Sequence, residues 1–543
     1  MQSRKESIAP CRAACPAGID VPRYIRHIRE GRFDQALAVI GERIPFPFVC
    51  GYACVHPCEA KCARIQYDQA VAIRMLKRVA AERGNKKQMK PMRGDRTGKK
   101  VAVIGSGPCG LTAAHYLNIR GHNVTVYEAL PLAGGMLRYG IPEYRLPEDI
   151  VNREIERIIE GGVEVVTDMR ISSAELLLGQ GFDAVFVATG AWKPAKMGIP
   201  GEDLPGVVDG LSFLSKVNAG NPPLIGQKVI VVGGGNTAVD AARTAVRLGA
   251  QVVQLYRRTR REMPASSEEI NEAIEEGVCV EYLTAPLRIE NNQAICIRMQ
   301  LGDADASGRR TPVPAAGTEY VLGFNTLIMA IGQSAAAASL CLEGQQNGTA
   351  SVKQGNLATP KRGIFAGGDV VSGPSTIIEA IAQGRLACTS IDGFLGGVDI
   401  EESLPQELKQ KLPEPPLPGV LRPAVRTISL KKRCATFDAV ERVYRRQEAL
   451  FEAGRCLSCD LRNFDVTVDE LTCKDCGYCR EVCTLGVFGK SDHFNPSGYK
   501  PMIAENTDRC IGCLRCLYVC PDFAITITSQ QNPVPPAQPN QKG

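Results

Sequence analysis

At 543 residues the chain is too long for one hydrophobic core, and three to four domains are expected. Its 44% apolar and 22% charged residues are ordinary for a globular protein, and a net charge of +6 at this length gives no nucleic-acid footprint. The first seven residues lead into no apolar stretch, and no run of 18 uncharged apolar residues follows, so neither an export signal nor a membrane span is expected. Residues 1–90 read as short helices presenting Cys11-x3-Cys15 and then Cys50-x3-Cys54-x3-Cys58-x3-Cys62. Between these groups Ile25, Ile28, Phe33, Leu37 and Ile40 recur at helical spacing over 21–40, and a further helix is expected over 70–83. The basic stretch 83–100 reads as a linker. The pattern then turns to α/β. A buried strand over 101–104 runs into Gly105-Ser-Gly107-Pro-Cys-Gly110, a helix to about residue 120, and a strand over 123–127 ending at Glu128. A second copy has a strand at 229–232, the turn Gly233-Gly234-Gly235, a helix over 237–248 and a strand over 251–256. Residues 278–330 alternate apolar and polar as strands do, and 360–396 return to a strand, Gly367-Gly368-Asp369 and a helix. The Pro- and Leu-rich 404–422 reads as a linker, and 436–455 as a helix leading to Arg455-Cys456-Leu-Ser-Cys459. A cysteine-rich module over 465–528 and a disordered tail follow.

Twenty-two cysteines in a long chain without an export signal point to metal ligation in the cytoplasm rather than to disulfides. Each of the runs Cys473-x2-Cys476-x2-Cys479-x3-Cys483 and Cys510-x2-Cys513-x2-Cys516-x3-Cys520-Pro521 is a full ligand set for a [4Fe–4S] cluster. The fourth cysteine of each run is expected on the other run's cluster, which makes one two-cluster module that moves single electrons. Cys279, Cys296, Cys341, Cys388 and Cys434 lack such spacing and are read as structural.

The first glycine turn is a full G-x-G-x-x-G between strand and helix, with an acid about 20 positions on. Gly105 allows the tight turn, Gly107 a close approach to a pyrophosphate, and Gly110 helix–strand packing. The helix N-terminus offers free N–H groups to phosphate, and Glu128 can accept from a ribose. The second turn departs from that fingerprint, and its strand ends in Arg257 and Arg258 instead of an acid. A 2′-phosphate is repelled by a carboxylate and paired by guanidinium groups, so this site is read as NADP(H)-binding. Two unlike dinucleotide sites in one chain fit a flavoprotein reductase, with Asp369 placed to touch the flavin's phosphate–ribitol chain. No C-x-x-C lies in the nucleotide domains, so a redox disulfide is not the electron exit.

Residues 1–425 resemble the glutamate synthase small subunit and its relatives, including the N-terminal half of dihydropyrimidine dehydrogenase and the large subunit of NADH-dependent ferredoxin:NADP oxidoreductase. The residues that carry this are Cys50-Gly-x-x-Cys54-x-x-Pro57-Cys58-Glu59-x-x-Cys62, Val103-Ile-Gly-Ser-Gly-Pro108, Gly134-Gly135 with Gly140-Ile-Pro142, Ala188-Thr-Gly190, Gly233-Gly-Gly-Asn-Thr-Ala238, Tyr256-Arg-Arg258 with Met263-Pro264, and Gly367-Gly-Asp369. The resemblance implies FAD on Gly105, Gly107, Gly110, Glu128, Gly135, Gly368, Asp369 and Thr376. It implies NADPH on Gly233, Gly235, Asn236, Thr237, Arg257 and Arg258, with [4Fe–4S] clusters in the helical N-terminal domain. Those relatives open with R-C-L-x-C, which here stands at Arg455–Cys459 instead. The segment is therefore expected to fold back, so that Cys456 and Cys459 complete a cluster begun by Cys11, while Cys15, Cys54, Cys58 and Cys62 hold another. The fourth ligand of the completed cluster is either Cys50 or no protein group. Lys77 falls near the Gln or Glu that ligates in relatives, and an ammonium cannot. The competing reading is that Cys456 and Cys459 bind nothing or a separate metal. The C-terminal module resembles a two-cluster ferredoxin, and through His493-Phe-Asn-Pro-Ser-Gly-Tyr499 the ferredoxin-type subunit of 2-oxoacid:ferredoxin oxidoreductases; Thr484 replaces its usual proline.

The expected fold is multidomain α/β: a helical iron–sulfur domain (1–95), an FAD domain in two parts (96–204 and 333–425) with an NAD(P)H domain (205–332) inserted, a linker with Cys456 and Cys459 (426–464), an α+β ferredoxin module (465–530) and a disordered tail (531–543). The expected function is an NADPH-dependent iron–sulfur flavoprotein subunit without a catalytic nucleophile or base. Its expected partner is a low-potential one: ferredoxin, a 2-oxoacid oxidoreductase or a similar subunit. A glutamate synthase small subunit and a non-catalytic electron relay are the alternatives, and flavin-based bifurcation stays open.

Overall fold

The computed structural model describes residues 8–85, 93–304, 308–340, 342–345, 348–397, 419–461 and 464–529. The expected tail, most of the 404–422 linker, part of the 83–100 linker and Cys341 lie outside them.

Two five-stranded parallel sheets form the centre. In the first, the strands run in the order Ile364–Ala366, Ala184–Val187, Lys100–Ile104, Asn123–Tyr127, Glu164–Val166. Its central strand is buried from Val101 to Ile104, as an apolar run covered on both faces must be. The helices Pro108–Ile119 and Ile377–Phe394 pack closely on it. A Cβ on Gly384 would stand 2.4 Å from the Cys109 carbonyl, so only glycine permits that approach. The second sheet runs Val207–Asp209, Thr326–Met329, Lys228–Val232, Gln251–Tyr256, Cys279–Tyr282. An antiparallel sheet of Thr284–Glu290, Gln293–Ala304, Arg310–Pro314 and Tyr320–Gly323 is built into it. Because Ile364–Ala366 returns to the first sheet, the second domain is an insertion in the first. The crossing is a short antiparallel pair, Lys193–Pro194 with Gln333–Ser334.

Ion pairs and cation–π contacts lock the two domains together. Arg145 reaches Asp240 at 2.6 Å and Glu269 at 3.0 Å, and the Tyr144 ring lies under Arg247 at 3.8 Å.

The expected 21–40 helix is two, Val21–Arg29 and Phe33–Gly41, broken where Gly31 takes a φ of +73°. The expected 436–455 helix is confined to Arg446–Gly454. Residues ahead of it run extended instead, because Val440 N donates to Tyr144 O at 3.0 Å and Arg442 N to Arg426 O at 2.7 Å. At the C-terminal end two antiparallel pairs, Phe464–Val468 with Ile525–Ser529 and Phe488–Lys490 with Met502–Ala504, frame two short helices, Tyr478–Val482 and Arg515–Val519.

Candidate redox sites

In the C-terminal module the local turns C-x2-C-x2-C each open on a hollow, and the fourth cysteine comes from the other run. One hollow is lined by Cys473, Cys476, Cys479 and Cys520; the other by Cys510, Cys513, Cys516 and Cys483. Burial pushes the Cys516 thiol up to about 12, helped by Cys513, Cys510 and Cys483 around it. Cys479 is raised to about 11 by burial, with Cys473, Cys476 and Cys520 beside it. Crowded buried thiols resist ionising one by one, and an iron core supplies the positive charge that lets all four do so. A tetrahedral zinc site would bring sulfurs within about 3.8 Å of one another. Among the described residues no group is gathered tightly enough to hold a single metal ion. Backbone N–H groups of Met502, Gly512 and Ala524 point at Cys473, Cys510 and Cys520 Sγ, each at 3.4 Å.

The helix Arg446–Gly454 and the following Cys456-Leu-Ser-Cys459 lie on the N-terminal helices. Buried Arg455 donates to Asp68 (2.8 Å), Glu452 (2.8 Å), Val420 O (2.8 Å) and Gln69 O (2.6 Å). Glu452 in turn accepts from Ala72 N at 2.7 Å, and Arg26 grips both oxygens of Asp460 at 2.8 Å. Cys11 is raised by burial and then by Cys456, Cys62 and Cys459, with Cys58 further off. Burial raises Cys456 to about 12, with Cys62 beside it. Cys15, Cys50, Cys54 and Cys58 gather separately around Lys77. The expected partition put Cys62 with Cys15, Cys54 and Cys58 and left Cys50 open; these neighbours favour Cys62 beside Cys11 and Cys50 beside Cys54. A Cβ on Gly51 would lie 2.8 Å from Arg78 Cα, so the helix Pro47–Ala53 seats directly on Ile73–Arg83 and carries Cys50 toward Lys77.

These groups adjoin. Cys459 and Cys513 border one apolar cluster built on Ala63, Leu457 and Ile511. Tyr67 Oη donates to Gly512 O at 3.3 Å across the same junction, and Arg515 to Gln66 at 2.9 Å. On the other side Cys54 lines a polar cleft shared with Tyr144, Arg145 and Asn236.

Both glycine turns form cradles. A Cβ on Gly105 would meet Ala188 O at 2.5 Å, and on Gly110 it would meet Gly105 O at 2.0 Å. On Gly107 it would meet nothing within 4 Å, and likewise on Gly235, while Gly233 is closed by Ala330 O at 2.2 Å. The open glycine of each turn is the N-cap of a helix, Pro108–Ile119 or Asn236–Arg247, with no side chain capping it. That leaves uncapped N–H groups facing free space, which is what a pyrophosphate needs. Glu128 is buried and accepts from Ser106 N (3.0 Å), Ser106 Oγ and Leu130 N (2.9 Å), which anchors it beside the turn. Gly135 has a φ of +52°, and its Cβ would lie 2.9 Å from Gly107 Cα. Gly368 (φ +76°) packs on Cys109, and Asp369 accepts from Ser375 N and Oγ at 3.1 and 2.7 Å. Thr376 caps the helix Ile377–Phe394 in a capping box with Glu379, so its hydroxyl is engaged at home. Thr237 follows Asn236 in the first turn of its helix. Arg257 is exposed at its strand end, whereas Arg258 is buried and donates from Nε to Arg310 O at 2.8 Å. Sequence reasoning missed the part played by Gly51, by Arg310 and by Glu154, which accepts from Phe48 N at 3.0 Å and Val49 N at 2.9 Å at the start of the helix bearing Cys50. Gly51 alone had a signal, standing beside Cys50 inside the cysteine run.

Residues 99–384 match the pyridine nucleotide-disulphide oxidoreductase family. The chain belongs to that family. Residues 5–89 match dihydropyrimidine dehydrogenase domain II, 4Fe-4S cluster, and residues 472–524 match the 4Fe-4S dicluster domain. Among relatives, the NADP(+)-dependent formate dehydrogenase subunit beta of Moorella thermoacetica is 41% identical, covering 83% of this chain and 70% of its own length. The NADPH-Fe(3+) oxidoreductase subunit beta of Geobacter sulfurreducens is 38% identical, over 83% and 75%. The glutamate synthase [NADPH] small chain of Escherichia coli is 33% identical, over 71% and 88%. In fold, FprA from Mycobacterium tuberculosis in complex with NADPH superposes with a TM-score of 0.50 at 21% identity, over 55% of this chain and 85% of that one. The protein is an NAD(P)H-dependent FAD/iron–sulfur oxidoreductase, with iron–sulfur domains on both sides of its nucleotide core. Among the described residues no helix is long and apolar enough to cross a membrane.

Proposed function

We propose that this chain is the NADP(H)-handling subunit of a cytoplasmic redox assembly, carrying electrons between the nucleotide and a partner at its ferredoxin-like end. The observation that carries this is the succession of thiol groups. Cys54 lines the cleft that holds Asn236, Cys58 borders the Cys11 set, and Cys459 shares an apolar cluster with Cys513. When bound, FAD exchanges a hydride with NADPH and single electrons with [4Fe–4S] clusters.

The residues take the following roles. Gly105, Gly107 and Gly110 admit the FAD pyrophosphate, and Gly135, Gly368 and Asp369 border it. Glu128 keeps one lone pair on Oε1, beside the one engaged by Leu130 N, for the ribose, and Thr376 holds the neighbouring helix end in place. Gly233, Gly235, Asn236 and Thr237 face the NADPH pyrophosphate. Arg257 pairs with the 2′-phosphate, steadied by Arg258 from its anchor on Arg310. Four clusters are held by Cys473, Cys476, Cys479 and Cys520; by Cys510, Cys513, Cys516 and Cys483; by Cys11, Cys62, Cys456 and Cys459; and by Cys15, Cys50, Cys54 and Cys58. No side chain acts as nucleophile or general base. The domains so used are 1–95 completed by 426–464, the FAD domain 96–204 with 333–425, the NAD(P)H domain 205–332, and the ferredoxin module 465–530.

The two relatives covering most of this chain are named as beta subunits, which supports a redox partner subunit here. A 2-oxoacid oxidoreductase is the partner favoured by the segment His493–Tyr499. A formate-oxidising subunit is the competing partner, favoured by the name of the Moorella relative.

The test is an anaerobic titration of the purified protein with NADPH and then NADH, followed by absorbance, with acid-labile iron measured. Bleaching of flavin and cluster bands by NADPH, with about sixteen irons per chain, is expected. Flavin reduction with only about eight irons would remove the N-terminal clusters from the scheme. No response to either nucleotide would leave a relay without nucleotide chemistry.

A further inference from the structure

Ser106 stands between Gly105 and Gly107 and is fully buried, at a position where the glycine fingerprint asks nothing of a side chain. Its hydroxyl is nonetheless engaged on both sides. Gly134 N donates to Ser106 Oγ at 3.0 Å, so the hydroxyl proton goes to the other neighbour, Glu128 Oε2. Ser106 N donates to the same Oε2 at 3.0 Å, and Leu130 N donates to Oε1 at 2.9 Å. The loop 130–134 is thus pinned at its start by Glu128 and at its end by Ser106, and the two pins are bonded to each other. Beyond Gly134 the chain turns against the cradle: Gly135 takes a φ of +52°, and a Cβ on it would stand 2.9 Å from Gly107 Cα. The loop's other side-chain bonds lead away from the glycine turn. Arg138 Nε donates to Ala133 O at 2.9 Å, and Tyr139 Oη meets Leu132 N and O at 3.3 Å, both from the helix Met136–Tyr139 that follows. Among the described residues Ser106 Oγ is the only side-chain atom of the turn bonded to the loop, and the only acceptor for Gly134 N. Gly134 is buried as well, where an N–H without a partner is costly.

We propose that Ser106 is a positioning residue for FAD: its hydroxyl couples Glu128, the acid assigned to the ribose, to the loop 130–135 that borders the pyrophosphate, so that one unit grips both. The inference rests on the reading of this turn as the FAD site. The coupling runs through a single carboxylate. Oε2 takes two bonds from Ser106 and Oε1 takes one from Leu130, so the carboxylate cannot rotate without breaking them. An alanine at 106 adds no atom and keeps the backbone bond. It leaves Oε2 with one partner and Gly134 N with none. Acid and loop then move independently, and FAD has to order each of them on binding, which weakens its hold.

The test compares the purified holoprotein with Ser106→Ala and Glu128→Gln, using FAD, ADP and 2′,3′-dideoxy-ADP as probes. FAD release on dilution is followed by the return of flavin fluorescence. Ser106→Ala is expected to release FAD at about tenfold higher protein concentration, the scale of losing one hydrogen bond to a charged group. ADP and its dideoxy analogue are then set to compete against FAD rebinding. The parent is expected to prefer ADP, since only ADP offers ribose hydroxyls to Glu128, and in Ser106→Ala that preference should shrink. Hydrogen exchange at saturating FAD should quicken over 129–139 in Ser106→Ala and in Glu128→Gln alike, and stay unchanged over 228–256. Unchanged FAD release in Ser106→Ala would overturn the inference. So would an undiminished preference for ADP, because Ser106 would then steady the fold without acting through Glu128. Exchange over 129–139 that ignores Glu128→Gln would overturn it too, and that variant decides the matter if Ser106→Ala fails to accumulate. A parent that carries no FAD would remove the reading of this turn and the inference with it, whereas a flavin-loaded parent matched by Ser106→Ala removes the inference alone.

Discussion

Replacing Arg455 by alanine should undock the segment that carries Cys456 and Cys459. Its guanidinium is 1% exposed and serves Asp68, Glu452 and the carbonyls of Val420 and Gln69 at 2.6–2.8 Å. Asp68 keeps Arg64 as a partner at 2.5 Å, but Glu452, fully buried, keeps only Ala72 N among the described residues. Removing one member of a buried charged pair destabilises by about 3–5 kcal/mol, because the other charge stays buried and unpaired. Were the whole effect local, the open form of 446–460 would become about a hundred- to several-thousand-fold more populated. Hydrogen exchange followed by mass spectrometry should show that acceleration in peptides covering 446–460 and 64–72, with unchanged exchange in 100–127. Iron should fall by about four per chain as the cluster on Cys11, Cys62, Cys456 and Cys459 is lost. Arg426→Ala is the control, since its pair with Glu448 at 3.3 Å is exposed and worth under about 1 kcal/mol. Equal exchange and equal iron in Arg455→Ala and the parent would refute the docking argument.

Four further outcomes are expected. Cys520→Ser should abolish the EPR signal of the cluster on Cys473, Cys476 and Cys479, and Cys483→Ser that of the other; loss of its own run's signal in each would reverse the assignment. Gly107→Ala should fold normally yet release flavin, since its Cβ enters open space, whereas Gly110→Ala, 2.0 Å from the Gly105 carbonyl, should fail to accumulate; flavin content and yield separate the two. Arg257→Ala should raise KM for NADPH about tenfold or more and leave NADH untouched, as loss of one charge-assisted pair of roughly 1.5–3 kcal/mol implies; an equal effect on both nucleotides would remove it from the 2′-phosphate. Burial lifts Glu154 to about 7 from an unfolded value of 4.5, so the folded state holds its proton longer and stability falls as pH rises between those values, by at most about 3 kcal/mol. Glu154→Gln should flatten that part of the unfolding-midpoint profile, and an unchanged slope would show that another group is responsible.

What could be read from the sequence divides along the range of the interaction. The C-x2-C-x2-C turns, the glycine turns and their strands are set by neighbours within a few residues, so spacing alone placed them. The second nucleotide domain was legible because strand, glycine turn and helix recur in order, although the turn itself departs from the full fingerprint. The ligand sets proposed for Cys50 and Cys62 were not, because Gly51 seats one helix on another's backbone, a contact no cysteine spacing signals. The helix read over 436–455 was cut short by a strand-like contact with Tyr144, nearly 300 residues earlier, that no local propensity signals. Arg258 looked equivalent to Arg257 until Arg310, from a separate hairpin, took its Nε.

The site that joins Cys11 and Cys62 to Cys456 and Cys459 sets an order of manufacture. On a ribosome adding about 5–20 residues per second, Cys11 emerges roughly twenty seconds to a minute and a half before Cys459. By then the nucleotide domains have been synthesised, and one of them supplies Glu154, which holds the helix bearing Cys50. Iron delivered during synthesis can therefore meet a finished set at Cys15, Cys50, Cys54 and Cys58 but only half a set at Cys11 and Cys62. Of the two sets proposed for the N-terminal helices, only this one is left half-built in a chain that stops short of residue 456.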